Sequence, residues 1–174
     1  MNPKLHSLFE ALEKERTLLL TAVKSYPADT LSHTPRPGKW SVLQILTHLV
    51  ISEQLSLLYM QKKSLGVQSA GDTTAVESIK SWLLLLSQRL PLKYKAPKFL
   101  KESTPGQWPV HEIEANWQTL RQQMHAFLSA IEPAHLKRKI YRHPVAGRLN
   151  VTHALLFMRA HIRHHQPQVK RLLK

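Results

Sequence analysis

Trp40-Ser41-Val42-Leu43-Gln44-Ile45-Leu46-Thr47-His48-Leu49-Val50 is the stretch that decides the fold. Ser41 carries the hydroxyl of a helix N-cap. Gln44, three residues on, has the amide needed to reach back and close a capping box, so a helix opens at Val42. Val42, Ile45, Leu46, Leu49, Val50, Leu55 and Leu58 then recur at helical spacing to about Lys62. His48 sits inside this apolar run.

Outward from it, other segments share the period. Between about Leu5 and Lys24, an apolar stripe is formed by Leu5, Leu8, Ala11, Leu12, Leu18, Leu19 and Val23. Glu10, Glu13, Lys14 and Lys24 lie largely opposite, while Glu15 falls on the stripe itself. Pro27, Pro35, Pro37 and Gly38 mark a loop before Trp40. The pattern breaks from Gly66 to Gly71, and Thr74 to Leu90 reads as a shorter helix ended by Pro91. Pro91, Pro97, Pro105 and Pro109 forbid a continuous helix and predict a long crossover loop up to Val110. A helix from about His111 to Ile131 carries Ile113, Trp117, Leu120, Met124, Phe127 and Leu128. A second loop covers Glu132 to Arg148, and a last helix runs from Asn150 or Val151 to about Leu173. No repeat and no long polar linker divides the chain. Residues 1–174 therefore read as one all-α domain, a four-helix bundle with an extra short helix and long crossover loops.

Composition narrows the chemistry. The 174 residues suffice for a buried core, and only five are glycine. Cysteine is absent, which excludes disulfides, a thiolate nucleophile and Cys-ligated zinc. The longest apolar runs, Trp82 to Leu86 and Ala154 to Met158, fall far short of the roughly 20 residues of a membrane span. Met1-Asn2-Pro3-Lys4 does not begin the apolar core of a signal peptide. The expectation is a soluble, cytoplasmic protein with no membrane partner. The net charge is +14, from 25 basic and 11 acidic residues, and attracts anions: nucleic acid, anionic lipid or an acidic small substrate. The densest basic groups, Lys62-Lys63, Lys137-Arg138-Lys139 and Lys170-Arg171, are short and fit solvated helix faces. There is no helix-turn-helix signature, RNA-binding aromatic motif or zinc finger.

The histidines stand out among the eleven-fold supply of imidazole. His6, His33, His111, His125, His135, His143 and His153 are scattered singly and carry no chelating pattern. His161-Ile162-Arg163-His164-His165 differs. Residues four apart on a helix are offset by about 40°, so His161 and His165 can offer two imidazoles to one metal, as the two histidines of HExxH do. His161 and His164, three apart, form an alternative pair, though His164 points more to one side and is the weaker candidate. His48 is the candidate third ligand, giving three imidazoles from two helices with a position left open for water or substrate. Glu53 lies one turn and a residue beyond His48. A solvated side chain is the preferred reading, with a partner to a ligand or a general base as the alternative. Pro167, two residues after His165, predicts a kink or early helix end near Arg163 to Gln166, with His165 tilted and Gln168 displaced.

The Trp40 to Leu49 stretch resembles the second-helix signature of the DinB-like (DinB/YfiT-like) superfamily, a Trp-Ser start leading to His-Leu. His143-Pro144, Gly147 and His161-Ile162-Arg163-His164-His165-Gln166-Pro167-Gln168 resemble its second signature, His-Pro, Gly, then HxxHHxxQ. The order of the motifs makes the likeness specific, and it covers nearly the whole chain. It implies a four-helix bundle, often a homodimer, with nickel or zinc on His48, His161 and His165. Related enzymes include bacillithiol-dependent transferases and a mycothiol-dependent maleylpyruvate isomerase; others are assigned as metal-dependent hydrolases. The expected function is thus a metal-dependent enzyme of thiol S-transferase or hydrolase type, acting on a small anionic substrate. A thiol nucleophile has to come from a low-molecular-weight cofactor, since the chain has no Cys. The alternatives are a basic nucleic-acid-binding protein and a metal-binding scaffold without catalysis.

Overall fold

The computed structural model describes residues 1–89 and 106–174. Most of the expected proline-rich crossover loop, with Leu90, Pro91, Pro97 and Pro105, lies outside these residues. Among the described residues, the order of elements is α1 (Pro3–Lys24), α2 (Ala28–Ser32), α3 (Val42–Ser64), α4 (Ala75–Arg89), α5 (Val110–Ser129), β1 (Tyr141–His143), β2 (Gly147–Leu149) and α6 (Val151–Leu172). The long helices α1, α3, α5 and α6 form a four-helix bundle. In it α6 packs along both α1 and α3, α5 packs along α3, and α4 lies against α6 from outside.

Local chemistry explains where the helices begin. Asn2 caps α1 through its side chain, which accepts the Lys4 N–H at 2.9 Å, and Pro3 follows at the first helical position. The capping box expected at α3 is present in both directions, with Gln44 N–H to Ser41 Oγ at 3.2 Å and Ser41 N–H to Gln44 Oε1 at 2.9 Å. Asn150 caps α6 by accepting the His153 N–H at 3.0 Å. The core is continuous through the bundle, with Leu5, Leu12, Ile45, Leu46, Leu49, Ile113, Trp117, Met124, Leu155 and Ile162 buried. Each such side chain is worth about 1.5–3 kcal/mol relative to exposure. Among the described residues, α3 is also the one helix long and apolar enough to pass for a membrane span. Its apolar face is packed inside the bundle, as for any core helix.

Two polar residues interrupt the apolar faces, and both are paired across helices. Glu15, which spoils the stripe of α1, is buried and accepts from Arg159 at 3.3 Å and Gln166 at 3.1 Å, both on α6. Glu53 of α3 is buried with Arg121 of α5. Arg121 also meets Glu13 of α1, and the Trp117 indole donates to Glu53 at 3.0 Å.

Three expectations change. The loop before Trp40 contains the short helix α2, which buries Leu31 against the core. The loop before α6 contains an antiparallel hairpin, with Tyr141 opposite Leu149 and His143 opposite Gly147. Strands of three residues are too short to show a period of two, so periodicity did not reveal them. Gly147 has φ of +79°, a conformation open to glycine at little cost, and this closes the turn. Finally, α6 neither ends nor breaks near Arg163; it continues through Pro167 to Leu172.

Candidate metal centre

His48 is presented by the second turn of α3 toward α6, and His161 and His165 sit on successive turns of α6. Tight contact between these two helices brings the three rings together. The Nε2 atoms of His48 and His161 are 3.2 Å apart, and those of His165 and His161 are also 3.2 Å apart. One ligand atom from each of the three lies within 4.8 Å of the others, and among the described residues no carboxylate joins the group. Nitrogens held at 2.0–2.1 Å by one tetrahedral metal would be separated by ~3.3 Å, so the observed spacing suits a shared ion. His161 is the common vertex.

The surroundings fix the rings. The His165 Nδ1 lies 3.0 Å from Gln168 Oε1 and donates to it, which leaves the Nε2 lone pair facing the cluster. Trp40 packs on His48 with ring centroids 5.0 Å apart, and Phe157 stacks on His161 at 5.4 Å. His164 turns away, as its position on the helix predicts, and its Nδ1 donates to the Gln88 carbonyl of α4 at 2.8 Å. The centre is not sealed: His165 is buried, while His48 and His161 are half-buried.

Burial disfavours the charged imidazolium and lowers all three pKa values. His48 falls to about 4 and His165 to about 3. His161 lies well below the ordinary value, first through burial and then through the neighbouring imidazoles. All three are therefore neutral at pH 7, the state a metal requires of an imidazole. This donor set, three converging neutral nitrogens, fits a borderline transition metal better than calcium or magnesium, which favour oxygen.

The other candidates fare unequally. The helix does not end at the proline: His165 and Gln168 lie within one continuous helix and bond to one another. Glu53 is neither solvated nor placed as a base. It is 1% exposed and held by Arg121 and Trp117 in the core. Trp40 and Phe157, which wall the cluster, carried no signal of that role beyond the Trp-Ser helix start. His143, which carries no chelating pattern in the sequence, lies near the cluster, its ring 4.4 Å from that of Phe157.

No curated protein sequence matches the chain. Among solved structures it is similar to YfiT from Bacillus subtilis, described as a probable metal-dependent hydrolase with an unusual four-helix bundle topology. The two share 20% sequence identity and a TM-score of 0.60, over 96% of this chain and 84% of that one, which establishes a common fold. The sequence matches the DinB superfamily over residues 11–169. With that match spanning nearly the whole bundle and both histidine-bearing helices, the chain belongs to the DinB superfamily.

Proposed function

We propose that His48, His161 and His165 hold one divalent transition metal, nickel or zinc, and that the chain is a metal-dependent enzyme of hydrolase or thiol S-transferase type. The observation that carries this reading is the approach of three neutral imidazole nitrogens from two helices, at the spacing of ligands around a single ion. The description of YfiT favours the hydrolase branch. Such a metal supplies a Lewis acid that lowers the pKa of a water or thiol at its open position. The protein's own contribution is orientation. Gln168 fixes the tautomer of His165, and Trp40 and Phe157 hold the other two rings from behind. His48 and His161 are only partly buried, which supports access of a substrate to the centre. The charge of +14 favours a small anionic substrate, and in the transferase branch an anionic external thiol.

Elemental analysis of protein purified without a His-tag tests the site. Near-stoichiometric nickel or zinc is expected, falling to a small fraction in His48→Ala and His161→Ala. Undiminished metal in both variants would remove the site. Turnover of ester and amide substrates without thiol, set against turnover of electrophiles with added thiols, separates the two branches.

A further inference from the structure

His143 ends β1 and begins the turn Pro144-Val145-Ala146 that leads into β2. Its Nδ1 accepts two backbone N–H groups from this turn, Val145 at 3.1 Å and Ala146 at 3.2 Å. A ring nitrogen that accepts cannot also carry the proton, so the proton is on Nε2. Burial keeps the ring neutral, with its pKa lowered to about 4. The ring is only 7% exposed and packs edge-on against Phe157. Phe157 in turn stacks on His161, so one aromatic ring separates His143 from the three-His centre. Its Nε2–H meets no acceptor among the described residues, and it is not one of the atoms fully enclosed without a partner. The hairpin therefore holds a neutral imidazole rigidly, one aromatic ring from the three-His centre, with an N–H that has no acceptor among the described residues.

We propose that this N–H is a specificity determinant: His143 receives an oxygen acceptor of the substrate, preferentially a carboxylate, while another atom of the same molecule occupies the open position of the three-His centre. The proposal rests on the metal-centre reading above. The ligand class is a small molecule with two polar ends, one that binds a metal and an anionic one several bonds away, since the Phe157 ring lies between the two histidines, its centroid 4.4 Å from that of His143 and 5.4 Å from that of His161. His143 is a positioning residue for the end of the substrate that does not react.

Untagged protein loaded with cobalt(II) provides the test, because thiolate binding to cobalt is read directly from absorption. The probes are 3-mercaptopropionate and 1-propanethiol, which differ by the carboxylate. Wild-type protein is expected to prefer the carboxylate probe by about tenfold, the worth of one hydrogen bond to a charged group. His143→Phe should bind cobalt normally and lose that preference, and His143→Gln should restore part of it through its amide N–H. A preference that persists in His143→Phe would assign it to the general positive field and overturn the proposal. So would equal loss of both probes, or loss of cobalt affinity, in that variant. Wild-type protein that takes up no cobalt would instead overturn the metal-centre reading, and this proposal with it. Should His143→Phe fail to fold, wild-type protein is compared across mercaptoacetate, 3-mercaptopropionate and 4-mercaptobutyrate. A fixed donor selects one chain length, and a diffuse field selects none.

Discussion

His165 and Gln168 show how much of the site depends on a single contact. The imidazole is aimed by the hydrogen bond from its Nδ1 to Gln168 Oε1, at 3.0 Å. Gln168→Ala removes the acceptor without touching a ligand, and it should weaken metal affinity by about 10–100-fold, as loss of such outer contacts commonly does. Competition against a chromogenic chelator measures the change, and an unchanged affinity would show that the ring is held by packing alone. The three clustered histidines were legible in the sequence: His161 and His165 by their spacing, His48 by its apolar setting and the resemblance. Glu53 was not. Its partners Arg121 and Trp117 lie 68 and 64 residues away on another helix, and no spacing within α3 can announce them. His143 is marked only by the His-Pro of the resemblance; its tautomer is set by the hairpin turn, which no periodicity announces.

Among elements, the helices that bury a broad stripe were readable nearly to their ends, and all but α5 also open on a side-chain cap. The bounds of α1, α3, α5 and α6 differ from expectation by about two residues, the usual uncertainty of helix ends. What escaped was short: five residues in α2 and three in each strand of the hairpin. Such pieces owe their conformation to burial of Leu31, Tyr141 and Leu149 against the bundle rather than to a local pattern. Pro167 is the reverse case, a strong local signal overruled. The side chains around it are anchored elsewhere, with Gln166 on Glu15 of α1 and Val169 in the core, and these contacts hold the last turns helical despite the missing N–H. Pro167→Ala restores that donor. It should stabilise the metal-free protein by on the order of 1 kcal/mol, visible as a higher urea midpoint with an unchanged slope. A lower midpoint would mean that the proline's rigidity in the unfolded chain outweighs the lost hydrogen bond.

Across the whole molecule, the amphipathic helices implied a bundle, but their order around it was settled only by long-range pairs such as Glu15 with Arg159 and Glu53 with Arg121. The same folding gathers imidazoles where water is scarce, and this has a pH signature. In the metal-free protein His48 and His143 are lowered to about 4 and His165 to about 3, against 6.5 in the unfolded chain. Between those values the unfolded state binds protons that the folded state refuses, so stability rises with pH across this window and falls on acidification. From these groups the loss should begin near pH 6.5 and level off below about 3. Urea midpoints at pH 8, 6, 5 and 4 check it, and a midpoint constant from pH 8 to pH 4 would contradict the burial of these rings. One further consequence follows from the origin of the three histidines on two helices, His48 and His161 being 113 residues apart in the chain. Whatever ties those three nitrogens together makes α3 and α6 a single cooperative unit: neither can open alone without breaking the tie. The amide hydrogens of both helices would then exchange with solvent in step, and the centre becomes a switch on how finely the bundle is divided into independently opening parts.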